Sequence, residues 1–180
     1  MPELARELQY VKDKGWLPFF QEEAYGCQPH ILHGIGSRET NLKNILGDSG
    51  HGHGIMQIDD RSFPEWCASG QWRDPHKAIR MGAFVLASKC AAARVKIKGD
   101  DNILRAAIAS YNAGKNAIDD FLLHGDPDRR TTGHDYSRDV LRRAAWFKAA
   151  LGLSTALPPA MPEQEPSQVS WLERIKNIFS

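Results

Sequence analysis

With 180 residues, 42% of them hydrophobic and 25% charged, the chain is long enough for one domain with a substantial core. A formal net charge of +1 excludes the strong basic excess of a nucleic-acid footprint, although a local patch can still meet an anionic polymer. No stretch is apolar enough to span a bilayer, and the scattered charges of Met1 to Phe20 do not read as a secretory signal.

The pattern is almost entirely helical. Pro2 to Lys14 is predicted as a first helix, stopped by Gly15, and Phe19 to Tyr25 as a second. A third begins at Pro29, a favourable first helical position, and carries Ile31, Leu32 and Ile35 on one side before it reaches Glu39. Residues 40 to 54 hold four glycines and no helical stripe, so a loop or small hairpin is expected, with a short strand over Gly54 to Ile58. Asp74-Pro75 reads as an N-cap and first turn. The stripe Ile79, Ala83, Leu86, Cys90, Ala93, Ile97 then steps by four and three along a long core helix that ends at Gly99. Asp101 is the expected cap of the next helix, with Leu104, Ala107, Ile108 and Tyr111 inward and Gly114 as its stop. A short helix follows over Ala117 to Leu123, and a last one carries Tyr136, Val140, Ala144, Phe147 and Leu151 to Gly152. Internal repeats are not apparent.

Beyond Gly152 the character changes. Residues 153–169 contain Pro158, Pro159, Pro162 and Pro166, which is linker chemistry. Residues 170–180 open on the capping-box pattern Ser170-Trp171-Leu172-Glu173 and place Trp171, Leu172, Ile175, Ile178 and Phe179 at helical spacing. So short an amphipathic helix needs a surface. Docking on its own domain is the simpler reading, and a membrane or partner the other. The organisation is thus a catalytic domain over 1–152, a linker over 153–169 and a short helix over 170–180. Cys27, Cys67 and Cys90 are an odd count and read as small buried hydrophobes in a reduced compartment.

Glu39, at the end of an apolar helical stretch, is followed by a Gly-rich turn with two further carboxylates, Asp48 and Asp59. That combination suits acid catalysis on a sugar bond, which needs one carboxyl kept protonated and another group to handle water. The motifs are Ser37-Arg38-Glu39-Thr40, the run from Gly47-Asp48-Ser49-Gly50 through Gly54-Ile55-Met56-Gln57-Ile58-Asp59 to Ser62, Ser110-Tyr111-Asn112-Ala113-Gly114 and His134-Asp135-Tyr136. In this order, over roughly residues 28 to 150, they resemble a goose-type lysozyme, within the wider group that includes soluble lytic transglycosylases and some chitinases. The resemblance implies an all-α, lysozyme-like fold with a small β-hairpin beside a substrate cleft, and cleavage of peptidoglycan glycan strands without a cofactor or metal.

On that resemblance Glu39 matches the general acid, and Asp48 and Asp59 match the two carboxylates that hold the attacking water. Gln57 and Ile58 match positions that line the sugar sites, Tyr111 and Asn112 a cleft Tyr-Asn pair, and Tyr136 a second cleft tyrosine facing the acid. His53 is taken as a further substrate contact. Each has a plainer reading: an ion pair of Glu39 with Arg38 or Lys43, an Asx-turn at Asp48, an N-cap at Asp59, and core packing for both tyrosines. Two departures stand out. The segment between Glu39 and Asp48 is shorter than in the bird enzymes. His51 and His53 stand where histidine is unusual; the His-x-His spacing is compatible with a metal, but loop side chains reaching substrate or solvent are the preferred reading.

The expected activity is hydrolysis, with inversion, of the β-1,4 bond between N-acetylmuramic acid and N-acetylglucosamine by a monomer. The alternatives are a lytic transglycosylase leaving 1,6-anhydromuramyl ends, or a chitinase on the same fold with chitin oligomers as substrate. A different class is a non-catalytic glycan-binding or phage or secretion module. Such a module has no use for a raised-pKa acid. The resemblance implies action on the cell wall, outside the cell or in the periplasm, and with no signal visible a non-classical export route or release by lysis is expected.

Overall fold

The computed structural model describes residues 1–22 and 25–153. The helix expected over 170–180, and the proline-rich stretch from 154 on, lie outside the described residues. Helix α1 (Pro2–Asp13) buries Leu4, Leu8 and Val11, a step of four and three that turns one stripe inward. Helix α2 (Leu17–Gln21) is shorter than the predicted Phe19–Tyr25, because Glu22 already has extended backbone (φ −63°, ψ 130°) and Tyr25 is left-handed. Helix α3 (Pro29–Thr40) opens on Pro29 as expected and closes at Asn41, whose φ of 53° suits an asparagine C-cap.

Three two-residue strands follow: β1 (Leu46–Gly47), β2 (Gly52–His53) and β3 (Ile58–Asp59). They form an antiparallel sheet in the order β1-β2-β3, with Leu46 opposite His53 and Gly52 opposite Asp59. The strand predicted over Gly54–Ile58 therefore starts only at Ile58. Gly54 and Gln57 have φ of 76° and 47°, so residues 54–57 turn rather than extend. Helix α4 (Pro64–Ala68), which the sequence reading did not anticipate, buries Trp66 and Cys67 beneath this sheet.

Helix α5 (Pro75–Lys96) begins as the sequence requires, with the Asp74 carboxylate accepting from His76 N at 2.9 Å. Helix α6 (Asp100–Ala113) starts one residue earlier than the predicted cap. Gly99 reverses the chain with φ of 84°, and Asp101 lies inside the first turn, where a carboxylate meets the positive end of the helix. Its inward face is Ile103, Ala106, Ala107 and Ile108, with Leu104 half-buried. Helices α7 (Asn116–His124) and α8 (Tyr136–Ala150) complete the order. Among the described residues the protein is thus eight α-helices with one small sheet.

Helix α3 runs through the main core and packs most extensively on α8. Their approach is close: a Cβ at Gly34 would lie 2.6 Å from the Val140 carbonyl oxygen, so a side chain there would force the helices apart. A second cluster of Ala93, Ile97, Ile103, Ala106 and Ile118 joins α5, α6 and α7. Behind the middle of α3, buried Ser37 donates to Glu7 on α1 and accepts from Arg143 on α8 at 2.8 Å. Arg38 pairs with Asp135 and Asp139, both at 3.0 Å. These partners fix the rotation of α3 about its axis, and so the direction in which the next residue, Glu39, points. The three cysteines carry free thiols, and burial pushes Cys27 up to about 12 and Cys67 up to about 11.

Candidate active site

The end of α3, the small sheet, α5 and the C-terminal turn of α6 enclose a cleft of about 600 Å³. Glu39, Asp48, Gln57, Ile58, Asp59, Tyr111 and Asn112 all line it. Residues from four separate stretches of sequence, spread over nearly half of the domain, therefore converge on one groove.

Glu39 makes no ion pair with Arg38 or Lys43, since Arg38 is committed to α8. Its Oε1 instead accepts a hydrogen bond from the Tyr136 hydroxyl. Burial pushes the Glu39 carboxyl up to about 7, against the opposing pull of the Tyr136 hydrogen bond and the Arg38 charge. A carboxyl in this state holds a proton near neutral pH and can give it up. Tyr136 does not itself line the cleft; it stands behind Glu39, 2% exposed. Tyr111 does line it, and its hydroxyl donates to the Met56 carbonyl at 2.9 Å. Burial, and then the neighbouring Glu39 carboxylate, push both phenols well above the ordinary tyrosine value, so both act as donors rather than anions.

Asp48 and Asp59 line the same groove from the two opposite edges of the sheet, Asp48 just after β1 and Asp59 on β3, and one guanidinium ties them together. Arg61 reaches Asp48 Oδ2 at 2.7 Å through Nη2 and Asp59 Oδ1 at 2.6 Å through Nε. Asp59 also accepts from the Ser62 hydroxyl at 3.1 Å. Partial burial raises the Asp59 carboxyl, but the bonds from Arg61 and Ser62 outweigh it and hold it below the usual carboxylate range. Asp48 and Ser49 occupy consecutive left-handed conformations, with φ of 46° and 55°. Aspartate tolerates that region better than most residues, and the turn lets the carboxylate point back over the sheet.

Gln57 serves the cleft wall from within. Its amide nitrogen donates to the carbonyls of Ile45 (3.1 Å) and Gly54 (2.8 Å). Its Oε1 lies where a Cβ at Gly47 or Gly52 would sit, at 2.1 and 2.2 Å. Both glycines are thus required by the glutamine that crosses them. The Asn112 side chain accepts from Thr132 N at 2.8 Å, which joins the end of α6 to the loop before α8.

His53 does not reach the cleft. Its Nε2 lies 3.3 Å from Asp60, and its ring stands edge-on to Trp72. His51 lines the cleft instead, with Nδ1 2.9 Å from the same carboxylate. Both imidazoles are turned to Asp60 and away from Asp48 and Asp59. Among the described residues no three potential metal ligands come together. Arg61, Ser62, Phe63, Val85, Lys89, Ser110 and Thr132 also line the groove and were given no role from the sequence. Only Arg61 carried a usable signal there: a cation two residues beyond a turn aspartate is placed to fold back on it.

Comparison with known proteins places the chain in one family. The family model described as Lysozyme g matches residues 21–150, which spans every cleft residue and leaves α1 outside. Lysozyme g from Takifugu rubripes is 33% identical over 135 residues, covering 69% of this chain and 68% of the relative. Lysozyme g from Epinephelus coioides is 33% identical over 141 residues, 71% of each. Lysozyme g from Gallus gallus is 35% identical over 133 residues, 70% of this chain and 59% of the relative.

Proposed function

The chain belongs to the lysozyme g family and is a muramidase-type, peptidoglycan-cleaving glycoside hydrolase, for whose mechanism we propose inversion with Glu39 as the general acid. Its substrate is the glycan strand of peptidoglycan, and its action is on the cell wall. No helix among the described residues is long and apolar enough to cross a membrane.

The observation that carries the mechanism is the contrast between the carboxylates of one groove. Glu39 is pushed up to about 7 by burial, whereas Asp59 is held below its ordinary value with Arg61 and Ser62 bound to it. Groups whose surroundings drive their pKa values apart divide into acid and base. Glu39 protonates the glycosidic oxygen as the bond to the anomeric carbon breaks. Asp59 and Asp48 accept hydrogen bonds from a water on the opposite face of the sugar and orient its lone pair toward that carbon. One of them takes the water proton as the new bond forms. Arg61 holds both carboxylates in place before substrate arrives and favours the ionised form of Asp59. All three groups are at least a third exposed at the side chain, so the ion pairs are weak enough to loosen when the sugar enters. Gln57 from the turn before β3, Ile58 from β3, and Tyr111 and Asn112 from α6 form the walls against which the sugar rings are placed.

Direct attack by water on a β-linked glycan gives the α-anomer first. NMR of the newly formed reducing end, recorded before mutarotation, is the test. An initial β-anomer would require a covalent or substrate-assisted route. A 1,6-anhydro end would show that the muramyl hydroxyl, not water, attacks, with Glu39 still the acid.

A further inference from the structure

Arg61 is bound at both ends by cleft carboxylates, but Lys89 on α5 lines the same groove and enters no ion pair among the described residues. It stands one turn beyond Val85, which also faces the groove, so the helix itself directs the ammonium along the cleft wall. Lys89 is half-buried, so its stem lies on the protein and its head is left to meet whatever occupies the groove. Of the half-buried long-chain cations elsewhere in the fold, Arg38, Arg105 and Arg143 each bind a carboxylate, whereas Lys148 on α8 pairs with none and lies outside the cleft; among the described residues Lys89 is the half-buried, unpaired cation that lines the groove. An unpaired ammonium held in the wall of a substrate groove is placed to meet a charged group on the substrate.

The ligand chemistry follows from what distinguishes the two candidate polymers. Chitin is an uncharged chain of N-acetylglucosamine. Peptidoglycan alternates that sugar with N-acetylmuramic acid, whose lactyl arm ends in a carboxylate or in a peptide that carries carboxylates. We propose that Lys89 is a specificity-determining residue that pairs with a carboxylate borne on the lactyl arm of a muramyl residue, and so selects peptidoglycan over chitin. The proposal rests on the muramidase reading of this cleft. Lys89 takes no part in bond cleavage. It contributes to binding of the strand, and by pairing with one muramyl arm it favours one of the two alternating registers in the groove.

The test compares Lys89→Met and Lys89→Arg in a Glu39→Gln background, where bound strands persist. Three ligands are titrated by calorimetry: peptide-free glycan strands, strands bearing stem peptides, and chitohexaose. Lys89→Met is expected to raise Kd for the muramyl strands about tenfold, the worth of one charge-assisted contact in a partly open site. Chitohexaose affinity should stay unchanged, Lys89→Arg should restore most of the loss, and the loss should shrink in ~0.5 M salt. A loss confined to peptide-free strands assigns the lactyl carboxylate itself, and a loss confined to stem-bearing strands assigns the peptide. Equal weakening of chitohexaose, or unchanged Kd for both kinds of strand, overturns the proposal. Cleavage by the protein with Glu39 intact is assayed separately. Strands that bind but are not cut would remove the muramidase reading and still leave the Kd comparison to decide the role of Lys89.

Discussion

The hydroxyl of Tyr136, the first residue of α8, donates to the carboxylate of Glu39 at the end of α3, across 97 positions of sequence. The bond favours the charged form of Glu39 and therefore opposes the burial that raises its pKa. Tyr136 thus sets how far the acid is raised, as well as where it points. With the bond removed in Tyr136→Phe, the Glu39 pKa should move above its value of about 7. Activity needs the protonated acid, so the alkaline limb of the pH–kcat/KM profile should shift to higher pH. A buried hydrogen bond is also lost, at about 1 kcal/mol of stability. A shift of the alkaline limb to lower pH would show that the phenol does not act on the carboxylate in this way.

Glu39→Gln should fold normally and lose at least about 10²- to 10⁴-fold in turnover, because the amide keeps the shape and removes the proton. The same variant should reveal a pH-dependent stability. The folded-state pKa of about 7 lies above the unfolded value of 4.5, so the folded protein holds the extra proton between the two. Stability therefore falls as pH rises through that window, and the penalty is fully present above it. Relative to the parent, Glu39→Gln should gain up to about 3 kcal/mol at pH 8 and nothing through this group at pH 4. Chemical denaturation at the two pH values measures it; equal differences at both would contradict a buried, raised carboxyl.

Arg61→Gln should lower turnover without unfolding the protein. The guanidinium holds Asp48 and Asp59, but the pairs are exposed, so the stability change should stay below about 1 kcal/mol. Asp59 should titrate higher once released, and the acid limb of the pH–rate profile should move up with it. An unchanged acid limb together with full turnover would mean that the pair does not handle water.

Asp48→Asn and Asp59→Asn should each reduce turnover, with the double variant well below either, because two carboxylates sharing one water can partly substitute for each other. Asparagine is the right replacement at Asp48, since it accepts the left-handed backbone that alanine would strain. Full activity in the double variant would exclude a carboxylate base.

A chain ending at Gly152 should cleave soluble oligosaccharides as well as the full chain does. Every cleft residue lies before that point, and α8 ends at Ala150. Parallel assays on oligosaccharides and on whole cell walls, with melting temperatures, check it. Loss on cell walls alone would assign residues 154–180 to targeting, whereas loss of both with a lower Tm would place them in the fold.

The order of helices was legible because it is written locally. The stripes of α1, α3, α5 and α8, Pro29 and Asp74-Pro75 at helix starts, and Gly125 and Gly152 at helix ends each act within a turn or two of their own position. Glu39 and the Gly-rich run with Asp48 and Asp59 were legible for a related reason, since acid chemistry beside a tight turn restricts residue type at short spacing. What only the tertiary structure decided was which side chains meet. Tyr136 is packed in the core, as its plainer reading had it, and α3 lying against α8 also puts its hydroxyl on the acid. Asp59 could have served only as a helix N-cap; the register of a sheet with two residues per strand brings it and Asp48 within reach of Arg61. His53 was expected in the cleft and faces Asp60, while His51, two residues earlier, lines it. In so short a sheet no periodicity specifies register. The left-handed turns at Asp48 and Gln57 decide it, and they are held by contacts with Arg61, Gly47 and Gly52 that form only when the chain has folded.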